Sequence, residues 1–346
     1  MPLQPTTRPR PAPSEPVGDA PGVLRPVHRA VVASAVAVVS VATSAVVPLL
    51  GPLLVALVVG IVAANTPGAA AYVGAAPRLD RLLLRSGIVL LGLQVAAADV
   101  LALGATGFTV VLTTVVTTYA ATQVVGRLLG LERDLVTLVA AGTAICGAAA
   151  IAAVESAVRA KPRDVALAVA LVTAFGTVMI GAVPALGRLL GLTEEQTAVW
   201  AGASIHEVAQ VVAAASLVGA GSATVLATAT TVKLARVALL APVQVVSARV
   251  CRTGDTDRRG PAVPLFVLGF LAAVALRSTG VVPLVALDLA AGLTTLLLGA
   301  AMFGLGTSIA ARHLWPVPAR VLLLATVAML VAAGVALGLV ALLVRG

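Results

Sequence analysis

Charge is what this chain has least of. Only 11% of its 346 residues are Asp, Glu, Lys or Arg, where an ordinary soluble domain carries about 25%. That is too little polar surface for a water-soluble fold of this size, while 60% of the residues are hydrophobic. Aromatics make up 3% and no basic tract is interleaved with them, so the formal charge of +9 does not signal a nucleic-acid surface. The two cysteines, Cys146 and Cys251, are too few for a disulfide framework or a Cys/His metal cluster. His206-Glu207 is not the start of HExxH, because residue 210 is Gln, and no cofactor motif is present.

What the chain has instead is a succession of apolar runs. They fall near 31–47, 49–64, 86–104, 107–130, 134–158, 164–190, 195–219, 222–250, 264–280, 284–311 and 318–344, many of them long enough to cross a bilayer. The fold expected is all-α, a polytopic membrane helical bundle with about 9–11 transmembrane segments. Residues 1–30, rich in Pro and Arg, read as a disordered tail on the cytoplasmic side, and 31–346 as one membrane domain.

Lys and Arg gather on the cytoplasmic side of membrane proteins, which allows two topologies to be compared. If all eleven segments cross, 16 basic residues outside Lys233 and Arg236 lie inside and 5 outside. If 134–158 and 195–219 dip in and return, the division is 18 to 3. Both segments have polar, glycine-bearing centres, TAICG and GASIHEVAQ, suited to unwound backbone lining protein or a watery cavity. Broken helices that cross would also fit.

Two internal matches suggest inverted repeats. AGTAICGAAAIAAV (141–154) aligns without gaps on AGASIHEVAQVVAA (201–214), an offset of 60 that also sets Thr173 opposite Lys233. PLLVALVVGIVAANTPG (52–68) aligns on PLFVLGFLAAVALRSTG (264–280), an offset of 212.

Lys233 and Arg236 interrupt an otherwise apolar helix, ATATTVKLARVALLAPVQVV. Each costs about 2.5–3.5 kcal/mol at the centre of a spanning helix. Three residues apart, they share one face. They either hold an anionic substrate or pair with buried carboxylates or the carbonyls of a broken helix. Thr143, Cys146 and Gly147 mark the first break, and Ser204 the second. Backbone N–H groups near Thr143 and Ser204 are expected to meet an anion, as helix N-termini do. His206, Glu207 and Gln210 are the candidates for proton coupling or gating. Glu155, beyond the first break, is a further possible partner for a cation. Cys146 shows no arrangement that would activate a thiol, and the chain is not expected to be an enzyme.

RSGIVLLGLQVAAADVLALG, AAGTAICGAAAIAA, WAGASIHEVAQVVAAA and TVKLARVALLAPV resemble the YeiH-type membrane proteins, named as a sulfate exporter family. The resemblance runs from about residue 30 to the C-terminus and departs only in details such as Ala148-Ala149-Ala150. It implies a multi-pass protein of the cell membrane, akin to cation/proton antiporter and anion transporter folds. The function expected is secondary transport exporting a small anion, of the sulfate, sulfite or sulfonate class. The alternatives are a proton-coupled cation antiporter and a non-transporting membrane scaffold or sensor. Expected partners are the small anion, the lipid bilayer and a coupling proton, with homo-oligomers left open; no nucleic acid, cofactor or metal is expected.

Overall fold

In a computed structural model the protein is a bundle of helices. The structure describes residues 31–40, 52–66, 77–158, 160–218, 222–251, 265–307, 309 and 317–344; the tail expected over 1–30 lies outside them. The described residues contain no strand. The helices are α1 (Val31–Ser40), α2 (Pro52–Asn65), α3 (Pro77–Leu91), α4 (Ala97–Ala102), α5 (Gly104–Leu128), α6 (Arg133–Ala144), α7 (Ala148–Val158), α8 (Pro162–Leu189), α9 (Glu194–Ser204), α10 (Val208–Ser216), α11 (Ala223–Ala238), α12 (Leu240–Val250), α13 (Leu265–Ser278), α14 (Leu284–Gly306) and α15 (Ala319–Leu343).

Among the described residues, five stretches are long and apolar enough to cross a membrane by themselves: α5, α8, α11 with α12, α14 and α15. The apolar run 86–104 is not one helix. α3 begins already at Pro77, because PRLDRLLLR is helical despite its charges, and the run ends in a short turn and α4.

Contacts between chain ends fix the direction of each element. Arg320 Nη1 donates to Leu129 O at 3.3 Å, placing the start of α15 beside the end of α5. Lys161 Nζ donates to Glu132 Oε2 at 2.8 Å, placing the start of α8 beside the start of α6. Cys251 Sγ lies 3.3 Å from Thr137 Oγ1, bringing the end of α12 there too. These contacts define one face of the bundle. On the other face, Ala97 N donates to Ser278 Oγ at 2.9 Å, and Gln196 Nε2 to Val344 O at 2.8 Å.

The α6–α7 pair therefore begins and ends on the first face. It is a re-entrant hairpin. α6 has 12 residues and rises about 18 Å, roughly half of a ~30 Å hydrocarbon core. α9–α10 is its counterpart from the second face. It starts just after α8 has crossed and is joined by residues 217–222 to α11, whose 28-residue run with α12 must cross back. Both repeat offsets carry helix onto helix: α6–α7 onto α9–α10, and α2 onto α13. In each pair the partners run in opposite directions.

Packing divides the helices into two groups. α2, α3, α13 and α14 form a panel, drawn together where small residues face backbone. Gly60 and Gly306 meet between α2 and α14, where a Cβ on Gly60 would overlap the Phe303 carbonyl. The two hairpins with α5, α8, α11, α12 and α15 form a core whose contacts with the panel are fewer.

Candidate functional site

The hairpin tips meet at the middle of the core. α6 ends at Ala144, Ile145 caps it with φ −109° and ψ −91°, and Gly147 turns the chain back at φ +73°, a left-handed conformation that glycine adopts without cost. A Cβ on Gly147 would overlap Cγ of Glu207, so the same glycine lets the second tip close on the first. α9 ends at Ser204, and Ile205, in extended backbone, leads to His206 and Glu207 before α10.

The last carbonyls of a helix have no partner within it and carry the negative end of the helix dipole. Here two such ends converge, and α11 brings the two buried cations to them. Lys233 Nζ donates to Ile145 O at 2.7 Å and to Ile205 O at 2.8 Å. Arg236 spends all five N–H groups on carbonyls. Nε and Nη2 donate to Ala144 O at 3.0 and 2.8 Å. Nη2 reaches Thr143 O at 2.7 Å, and Nη1 reaches Ile205 O at 2.9 Å and Gly202 O at 3.4 Å. Both side chains are fully buried. α9 and α11 approach closely enough for this because Gly202 faces Ala229 O and Val232, where a Cβ would not fit.

Of the two roles weighed for the cations, the described contacts are those of carbonyl caps. Arg236 has no N–H left over, while Lys233 uses two of its three on these carbonyls. The expected N–H donors also sit elsewhere. Thr143 and Ser204 lie at helix C-termini and present carbonyl oxygens, and the Ser204 hydroxyl donates back to Trp200 O at 2.6 Å. The N-terminal ends belong to α7 and α10, on the other side of each break.

The negative partner at the junction is Glu207. Its carboxylate accepts from Thr173 Oγ1 at 3.0 Å and from the backbone N–H of Ala148, at the positive end of α7. Gln210 completes a capping box: its Oε1 accepts from Glu207 N at 3.2 Å and its Nε2 donates to Thr173 O at 3.1 Å. Cys146, a free thiol, is buried between the tips, near Lys233, Arg236 and Glu207. His206 is 1% exposed, and neither ring nitrogen has a hydrogen-bond partner.

The structure thus gathers Thr143, Cys146, Gly147, Ser204, His206, Glu207, Gln210, Lys233 and Arg236 into one junction. Thr173, which the repeat sets opposite Lys233, joins the junction through Glu207. The symmetry has a physical meaning, since each residue projects from the long helix after one hairpin to reach a tip. Two cations face a single carboxylate here, a formal surplus of one positive charge. Among the described residues no group of three or more His, Cys, Asp or Glu could hold a metal ion.

Opposed re-entrant hairpins meeting inside a helical bundle define a multi-pass α-helical membrane protein of the kind built on inverted repeats. The chain belongs to the family described as conserved hypothetical protein 698, which matches residues 28–325. It is 44% identical over 250 residues to a UPF0324 membrane protein of Corynebacterium glutamicum, covering 71% of this chain and 72% of that one. It is also 35% identical over 266 residues to one from Pseudomonas aeruginosa (71% and 73% covered) and 32% identical over 233 residues to one from Listeria monocytogenes (66% and 69%). No solved structure matches.

Proposed function

We propose that the protein is a secondary transporter that exports a small anion of the sulfate, sulfite or sulfonate class across the cell membrane. The observation that carries this reading is the junction's charge. Two buried cations are opposed by one carboxylate, beside an imidazole whose two nitrogens are unmatched. A buried polar group without a partner costs about 1–3 kcal/mol, and a bound oxyanion would supply both the missing acceptor and the missing negative charge. Lys233 and His206 are the groups placed to contact it, and Arg236 holds the tips in position. Opposed hairpins provide what alternating access needs, a site that either half of the bundle can uncover.

Nine of the eleven described Lys and Arg residues outside the junction lie on the first face, with Arg188 and Arg277 on the second. The positive-inside rule supports reading the first face as the cytoplasmic one.

The test is flux of labelled sulfate, sulfite and an alkylsulfonate, each into proteoliposomes under an imposed pH gradient and with the other two as competitors, for wild type and His206→Leu. The expected result is flux above empty liposomes, competition by the preferred anion, and loss of flux in a His206→Leu protein that remains folded. Absence of flux for all three anions with folded protein would overturn the reading. Glu207, the one carboxylate at the junction, favours proton-coupled cation antiport as a second reading. In that case cation flux would lose its pH dependence in Glu207→Gln.

A further inference from the structure

A second feature lies away from the junction, on the seam between panel and core. There a partly open cavity of about 140 Å³ is walled by Asp80, Arg81 and Met302 from the panel and by Ala152, Glu155 and Val165 from the core. It has room for several waters at ~30 Å³ each. It belongs to the first face, because Pro162 at the start of α8 and Asp80 and Arg81 near the start of α3 are among its lining residues. Glu155 stands about two turns along α7 from the hairpin tip, some 10 Å.

We propose that this cavity is a water-filled vestibule open to the basic face and that Glu155 is a proton-binding group within it. The groups facing Glu155 are identifiable from each neighbouring element. α3 brings Arg81, Arg85 and Asp80. Arg85 is partly engaged elsewhere, its guanidinium 5.7 Å from the centre of the Phe266 ring. α8 contributes Pro162 and Val165 to the walls, and α14 contributes Ala301, Met302 and Leu305; α6 and α12 add no ionisable side chain to the lining.

The ionised carboxylate attracts Arg81 across the seam and ties α7, and with it the first hairpin, to the panel. A proton arriving from bulk water through the vestibule neutralises the carboxylate. Arg81 is then released, and the core is free to move against the panel. The vestibule itself stands independently of the transport reading, whereas the use made of the proton rests on it.

The test is thiol labelling, which needs no flux. In a Cys146→Ser, Cys251→Ser background, Leu305→Cys (half-buried, near the end of α14), Ala152→Cys (buried, nearer the hairpin tip) and exposed Lys161→Cys are treated with membrane-impermeant methanethiosulfonates, one cationic and one anionic. All three sites should react from the same side of the membrane. Glu155→Gln should raise the anionic-to-cationic rate ratio at Leu305→Cys about tenfold, as expected when a unit charge ~6 Å away in water acts on the two probes in opposite senses. It should also remove the pH dependence of that ratio, measured relative to Lys161→Cys. Reaction at Lys161→Cys without reaction at Ala152→Cys overturns the vestibule; Ala301→Cys replaces Ala152→Cys if the latter does not fold. Labelling that ignores both pH and Glu155→Gln overturns the proton site. If labelling behaves as expected but no anion moves, the transport reading fails and the vestibule stands.

Discussion

Replacing Arg236 by Met separates a structural brace from a substrate ligand. The methionine keeps length and apolar volume but removes five N–H donors. Ile205 O retains Lys233, whereas Thr143 O and Ala144 O lose their Arg236 bonds and lie at the end of α6. Orphaning each buried carbonyl costs about 1–3 kcal/mol, and removal of the buried cation recovers part of that through relieved desolvation. Breaking such a buried charged contact costs about 3–5 kcal/mol in proteins, the value expected here. At ~2–4 °C per kcal/mol for a medium-sized domain, the melting temperature in detergent should fall by roughly 6–20 °C. Trp200 fluorescence is a local reporter, because Trp200 lies on α9 and donates to Ala333 O at 2.9 Å. Arg236→Lys should fall between, keeping the charge and losing part of the fork. An Arg236→Met protein that melts like wild type but has lost anion binding would refute the brace and make Arg236 a ligand.

Other substitutions test the remaining parts. His206→Leu removes two unmatched ring nitrogens, so its melting temperature should hold or rise while flux disappears; a loss of stability would mean the imidazole has a structural partner. Gly147→Ala forces a side chain into left-handed backbone, worth about 1–2 kcal/mol, and displaces Glu207. It should lower both melting temperature and flux, and a wild-type melt would contradict the tip-to-tip contact. Lys161→Ala should leave the melting temperature unchanged at neutral pH, since the Lys161–Glu132 pair is exposed. Its hydrogen bond to Glu132 holds the Lys161 pKa above the usual lysine value. Any contribution is therefore complete below the unfolded lysine value of ~10.4 and disappears as pH rises through the higher folded value, which a pH series of melts would show.

The breaks were legible because polar and glycine residues interrupt apolar sequence at TAICG and SIHEVAQ, and they fall at Ile145–Gly147 and Ile205–Glu207. Lys233 and Arg236 stood out for the same reason: charge is expensive in lipid wherever it points. What holds that charge was not legible. Its partners are main-chain carbonyls, which every residue possesses and no sequence pattern marks. An expectation of N–H donors near Thr143 and Ser204 treats a broken helix as an N-terminus alone, whereas a hairpin tip supplies a C-terminus as well. Re-entry could not be decided from hydropathy, which is blind to direction; the Lys161–Glu132 contact decides it. Asp80 and Arg81 lie in a charged stretch outside the apolar runs, and only folding sets them beside Glu155.

The cross-bracing of both tips from α11 also dictates an order of assembly. Thr143 precedes its guanidinium partner by 93 positions in the chain, so the first hairpin leaves the ribosome about 5–20 s before Arg236 is made, at ~5–20 residues per second. During that interval its terminal carbonyls must be served by water or by the insertion machinery, since lipid offers no donor. The hairpins therefore lodge at membrane depth only after α11 has arrived. A chain cut short before residue 233 would carry both re-entrant segments and the means to bury neither.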